Sequence, residues 1–104
     1  MKNTKFIANA FSIQMLNNLN ATVSFKEINP ADIPRDVVSA IGHPDTAAVV
    51  GDALGITLKP DRVNVKLDKG DTLFVAQLMG GRLPEGATTL PDGFSFKFLR
   101  VTVM

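Results

Sequence analysis

No cysteine, tryptophan or tyrosine occurs in the 104 residues of this chain, and there is one histidine. Without cysteine there is no disulfide framework and no thiolate metal site, and an intracellular setting fits. One imidazole and scattered carboxylates do not supply the ligand set of a zinc or other transition-metal site, nor the spacing of an EF-hand, so neither a metal nor another cofactor is expected. Any stacking on a nucleobase must fall to Phe, His or Arg. Charge of one sign is also lacking: 11 Lys and Arg stand against 10 Asp and Glu, a net +1. Proteins that bind duplex DNA in bulk carry a basic stripe, so long nucleic acid is not an expected partner, whereas a small anion held by a few local groups is compatible. No apolar run is long enough to span a membrane, and the opening MKNTKFIANAF has neither the apolar core nor the cleavage site of a signal peptide. The expected setting is the cytoplasm, with no membrane partner.

What is present is one domain's worth of chain, residues 1–104, with 45% apolar and 20% charged residues. A chain of this size buries about two-thirds of its unfolded surface, enough for one core without staples. KFIANAF (5–11) reads as a short buried strand, and Ser12 suits the cap of a brief helical turn over 12–16. ATVSFKEI (21–28) alternates, which predicts a strand with Val23 and Phe25 toward the core. NPADIPRDVVSAI predicts a short helix over about 34–40, ended by Gly42. HPDTAAVVGDALG (43–55) is the clearest helix: Pro44 suits its first position, Asp45 complements the dipole, Ala47, Val50, Ala53 and Leu54 form a stripe, and Gly55 stops it. RVNVKL (62–67) and TLFVAQLM (72–79) read as an antiparallel hairpin about the turn DKGD. FSFKFLRVTV (94–103) is the last strand, with Phe94, Phe96 and Phe98 on one face and Ser95, Lys97 and Leu99 on the other. The order β–β–α–α–β–β–β predicts an α+β (α/β) single domain: a mixed five-stranded sheet with short helices packed on it.

Two stretches carry chemistry. In IGHPDT the only histidine, His43, sits where a helix starts, and the free N–H groups and dipole there form a natural anion seat. His43 could cap the helix, touch a phosphate or donate a proton; a structural role is the commoner fate of a lone histidine in such a place. In GGRLPEG, directly after an apolar strand, Arg82 offers a planar fork suited to phosphate, while Gly80 and Gly81 would let backbone come close to a ligand. Glu85 could orient Arg82, take part in proton transfer or be a solvated loop residue. Asn9, Ser12 and Gln14 form a third group that suits ligand contacts or local turn caps equally well. No Walker motif, dinucleotide fingerprint or nucleophile elbow is present.

Taken together, IANAFSIQML, VSAIGHPDTAAVVGDALG, RVNVKLDKGDTLFVAQL and GRLPEG resemble the viral ring nucleases, anti-CRISPR proteins of archaeal viruses, bacteriophages and mobile elements. The blocks are weak singly and specific in their order and spacing, which covers residues 5–103. The resemblance implies a homodimer around a mixed β-sheet, and as substrate cyclic tetra-adenylate, the second messenger of type III CRISPR defence, cleaved without a metal. It makes His43 the general acid, Arg82 the group that binds and polarises phosphate, and Glu85 an assisting residue. Asn9, Ser12 and Gly42 become substrate contacts. The connection ATTLPDG (87–93) is shorter than the helical insert of some relatives.

The chemistry fits these residue types. In RNA the 2′-hydroxyl lies beside the phosphate and can attack it in line, so the protein need supply only alignment, charge stabilisation and a proton for the departing 5′-oxygen. A two-fold dimer would face opposite phosphates of the ring with its two copies of His43, which is how one histidine per chain suffices. The expectation is therefore a ring nuclease. The alternatives are a protein that sequesters or senses a cyclic nucleotide without turning it over, and a structural or DNA-associated viral protein, the last disfavoured by the near-neutral charge.

Overall fold

The structure, a computed structural model, describes residues 5–104. Its strands are β1 (Phe6–Ala8), β2 (Val23–Ile28), β3 (Val38–Ser39), β4 (Thr72–Met79) and β5 (Ser95–Val103). One α-helix, α1 (Pro44–Leu54), and 3-10 turns at Ile13–Met15 and Pro30–Asp32 complete the regular structure. The sheet order is β2-β5-β4-β1-β3. β5 pairs antiparallel with β4 and β2, whereas β1 pairs parallel with β4 and β3. This is the expected α+β domain: a mixed five-stranded sheet with a helix packed on it.

Alternation along the strands sends side chains to two faces, and both are covered. On one face Ile7, Phe74, Ala76 and Phe98 pack with Ala47, Val50 and Leu54 of α1 and with Ile33, Val37, Ile41 and Leu58. On the other, Ala8, Leu73, Val75, Val101 and Val103 pack under Val65 and Leu67, with Phe11, Met15 and Leu16 alongside. Ile7, Ile41, Leu73 and Val101 are fully buried. Each such side chain contributes about 1.5–3 kcal/mol of transfer free energy. The predicted face-sharing of Phe96 and Phe98, opposite Leu99, is what the two clusters contain.

Several expected elements differ. Residues 34–40 are not a helix. The helical turn there is Pro30–Asp32, and Val38–Ser39 is an edge strand, because the N–H groups of Val38 and Ala40 donate to the carbonyls of Lys5 and Ile7 at 2.8 Å. Residues 62–67 are not a strand, and the hairpin with β4 does not form. Val65 and Leu67 do turn inward as the alternation required, but the segment packs on the second face of the sheet, and its parallel bridge, Leu67 to Leu16, joins it to the end of the Ile13–Met15 turn rather than to a strand. The antiparallel partner of β4 is β5 instead. Phe25 does not enter the core: it is 57% exposed on an edge strand and packs edge-on against Phe11 at 5.6 Å between ring centres. Ala53 is exposed, and the buried stripe of α1 is Ala47, Val49, Val50, Gly51 and Leu54.

The ends of α1 are where the sequence placed them. His43 is the N-cap, Pro44 opens the helix, and Gly55 terminates it in the left-handed region at φ 72°. The N–H of Gly55 reaches the Asp52 carbonyl and that of Ile56 the Gly51 carbonyl at 3.0 Å, a Schellman motif. Arg35 Nη1 donates to the Leu54 carbonyl at 2.7 Å, satisfying another open acceptor of the last turn. This tight reversal explains Gly51. A Cβ there would lie 2.7 Å from the Ile56 carbonyl oxygen and 3.2 Å from the Leu58 nitrogen. Glycine to alanine inside a helix ordinarily gains about 1 kcal/mol. At Gly51 the expected sign is reversed, a loss of about 1–3 kcal/mol from overpacking against backbone. A lowered urea midpoint for Gly51→Ala at unchanged m-value would be the signature.

Candidate functional site

β1, β3 and β4 run in the same direction, so their carboxyl ends share one edge of the sheet. Asn9 follows β1, Ala40–His43 follow β3, and Gly80 begins the loop that follows β4. In open sheets of parallel strands this edge is where ligands bind. The topology therefore gathers the sequence's three chemical stretches at one end of the molecule, although they lie tens of residues apart in the chain.

His43 is exposed and extended, at φ −93° and ψ 126°, and its Nδ1 accepts the Asp45 N–H at 3.2 Å. With Nδ1 an acceptor, the neutral ring carries its hydrogen on Nε2, the nitrogen left open to a ligand. Forming an imidazolium requires Nδ1 to give up this bond. The anion seat is narrower than the sequence implied. Pro44 has no N–H, that of Asp45 is taken by His43, and that of Ala47 donates to the His43 carbonyl at 3.0 Å. The N–H groups of His43 and Thr46 remain without a protein acceptor among the described residues.

A contact across 41 positions joins the helix start to the GGRLPEG loop: the Gly86 N–H donates to Asp45 Oδ2 at 2.8 Å. The loop makes this possible through a type II turn, in which the Ala87 N–H donates to the Pro84 carbonyl at 3.2 Å and Gly86 takes φ 80°. The turn leaves the Gly86 N–H unused, so it is free for Asp45. Glu85 is the residue immediately before that donor, and Arg82 lies on the stretch leading into the turn; both are exposed. Among the described residues no hydrogen bond or ion pair links the side chains of His43, Arg82 and Glu85.

Gly80 and Gly81 serve the loop itself rather than leaving room for a ligand. Gly80, at φ 110°, faces the Gly93 carbonyl, where a Cβ would lie 2.8 Å from the oxygen, and Gly81 lies against the Phe94 ring. These contacts form the neck of the loop, just beyond the Met79–Ser95 pair that ends the ladder. Ser12 caps the Ile13–Met15 turn by accepting the Gln14 N–H at 3.3 Å, so its turn-cap reading holds, with its hydroxyl hydrogen still available. Asn9 is exposed at the site edge.

Two residues of this edge carried no local signal as site residues. Asp45 had a dipole role only, yet it touches both the histidine and the loop. Arg62 was the first residue of an expected strand. The Asp61 N–H donates to the Ile41 carbonyl at 2.8 Å, which lays residues 61–62 along 41–42. A Cβ on Gly42 would fall 2.8 Å from Arg62 Cγ, so the arginine stem lies against the Gly42 backbone, next to His43. The missing side chain before the histidine was the available clue.

The site is an open shelf. A cleft of about 730 Å³ lies instead beside Lys26, Glu27, Ile28, Asn29, Asp32 and Arg100, and holds none of the residues above. Chemistry, not cavity size, locates the site. Among the described residues no three metal-ligating side chains come together, and no helix is long and apolar enough to cross a membrane.

No curated protein matches the chain. Among solved structures, B116 of Sulfolobus turreted icosahedral virus is similar, with a TM-score of 0.77 and 27% identity over 95% of this chain and 98% of that one. The STIV B116-like family model matches residues 5–93, which include β1, α1, β4 and the whole candidate site, and the chain therefore belongs to the STIV B116-like family of viral proteins.

Proposed function

We propose that the protein is a metal-independent phosphodiesterase that opens cyclic tetra-adenylate, acting as a homodimer in the cytoplasm of an infected cell. The observation that carries this reading is the union of the IGHPDT helix start with the GGRLPEG loop through Asp45 and Gly86. It gives one shelf an imidazole, a carboxylate and two guanidinium-bearing segments, the set that in-line attack by a ribose 2′-hydroxyl needs. The 2′-oxygen bonds to phosphorus and gives its proton to water at the open edge. The bond from phosphorus to the 5′-oxygen breaks, and His43 delivers the proton that the 5′-oxygen takes up. Arg82 and Arg62, with the open N–H groups of His43 and Thr46, offset charge on the phosphate oxygens. Glu85, one residue before the Gly86 donor, is the assisting residue of this reading. Asn9, Ser12 and Gly42 are the substrate contacts of this reading. Two cuts at opposite phosphates yield two linear di-adenylates, each ending in a 2′,3′-cyclic phosphate. An open shelf favours the dimer in this reading, because a ring ligand is enclosed only when a second copy faces the first. The viral family agrees with the source that the sequence resemblance implies.

The deciding experiment is incubation with cyclic tetra-adenylate in the presence of EDTA, followed by separation of the products. Linear di-adenylate with a cyclic phosphate terminus is expected. Intact ring recovered from a tight complex would make the protein a sponge or sensor, and no binding at all would end both readings.

A further inference from the structure

Asp45 occupies an unusual place. It stands in the first turn of α1, where a carboxylate is favoured by the dipole, and this alone would account for it. Its two hydrogen bonds go further. Its backbone N–H caps against Nδ1 of the neutral imidazole, and its carboxylate holds the Gly86 N–H at the tip of the loop. One residue thus joins the helix start that carries His43 to the turn that follows Glu85. The loop has few other anchors between its neck and its tip. Gly80 and Gly81 pack at Gly93 and Phe94, and Arg82, Pro84, Glu85 and Gly86 are exposed. A charge-assisted bond of 2.8 Å is the kind of contact that fixes such a segment.

We propose that Asp45 is a positioning residue: a latch that holds the Arg82–Gly86 loop in register with His43, so that the proton donor and the phosphate-binding group meet the same phosphate. This rests on the phosphodiesterase reading for its catalytic consequence, but the latch is a property of the free protein. The Asp45 carboxylate is engaged by the Gly86 N–H and its charge opposes an anion, so its benefit comes from geometry. Alignment errors of about 1 Å cost on the order of 100-fold in rate. Removing the latch therefore lowers kcat more than it changes KM.

The test compares wild type with Asp45→Ala, Asp45→Asn and Asp45→Ser. Amide exchange at Gly86 is read by NMR, and kcat and KM are read on cyclic tetra-adenylate. Asn keeps an acceptor of the same reach, whereas Ser suits a first helical turn but is too short to reach Gly86, and it stands in for Ala should that variant not fold. Gly86 is expected to be protected in the wild type and to lose protection in Ala and Ser, with the Ala47 amide of α1 unchanged. The kcat of Ala and Ser should fall roughly 10- to 100-fold, and Asn should recover most of the loss. A merely helix-stabilising Asp45 would change melting and leave kcat and Gly86 exchange where they were, which overturns the proposal. So does an Asn variant as slow as Ala with Gly86 still protected. If the wild type does not cut the ring, the phosphodiesterase reading fails, while Gly86 exchange still upholds or overturns the latch.

Discussion

Replacing His43 by Asn is expected to slow ring opening by roughly 10²–10⁴-fold while leaving the fold and the affinity for the ring in place. Asparagine is the informative substitution because it separates the cap that the structure shows from the proton donation proposed for His43. As N-cap it accepts the Asp45 N–H through Nδ1, and it presents Nε2 to the shelf. Asparagine ranks among the best N-cap residues, so the side-chain oxygen replaces Nδ1 and α1 keeps its start. What it lacks is an acid able to protonate a departing alkoxide near neutral pH. Alanine removes both functions at once, and the difference between Ala and Asn isolates the cap, about 1 kcal/mol of stability. Turnover should be equally low in both, while melting temperature separates them. If capping were the whole role of the histidine, Asn would turn over at the wild-type rate, and the general-acid assignment would have to be abandoned. Binding should persist, because the substitution leaves untouched Arg62 and Arg82, the groups proposed to hold the phosphates.

The pattern of right and wrong expectations has a physical source. α1 was legible to the residue at both ends because its signals are local: a capping side chain, a proline at the first position and a glycine past the last. β2 and β5 were legible because each is long enough to show alternation, and β4 because its run of apolar residues is that of a strand buried on both faces. Residues 62–67 misled for the same reason. Val63, Val65 and Leu67 alternate because one side of the segment is buried, but period two reports burial, not ladder pairing. β3 was invisible because two residues carry no period; its identity comes from bonds to Lys5 and Ile7, some thirty positions away. The site divides in the same way. His43, Arg82 and Glu85 announced themselves by residue type within short motifs. Asp45 and Arg62 join the candidate site through long-range contacts, to Gly86 and to Gly42, which no local spacing encodes.

Gly80→Ala is the substitution expected to cost the most stability at the site, roughly 2–6 kcal/mol, and to impair ring opening with it. Two effects add. The first is conformational: at φ 110° an alanine sits outside the regions open to L-residues, at about 1–3 kcal/mol. The second is collision: its Cβ would lie 2.8 Å from the Gly93 carbonyl oxygen and 3.2 Å from Phe94 Cα, both backbone atoms that cannot swing aside as a side-chain tip would. Overpacking of this kind costs about 1–3 kcal/mol more. For a small domain with ~5–15 kcal/mol in all, the sum is a large share. The chain can escape part of it only by opening the neck of the loop, fraying the Met79–Ser95 pair and moving Arg82 and Glu85 away from His43. Gly70→Ala separates the two effects. Gly70 also has a positive φ, 93°, but a Cβ there meets nothing within 4 Å, and it lies in the turn before β4, away from the site edge. It should show the conformational cost alone and leave cleavage of the ring unchanged. Thermal unfolding and single-turnover cleavage on the two variants decide the matter. Equal losses of stability at Gly80 and Gly70, or full activity in Gly80→Ala, would mean that the neck does not hold the loop in place.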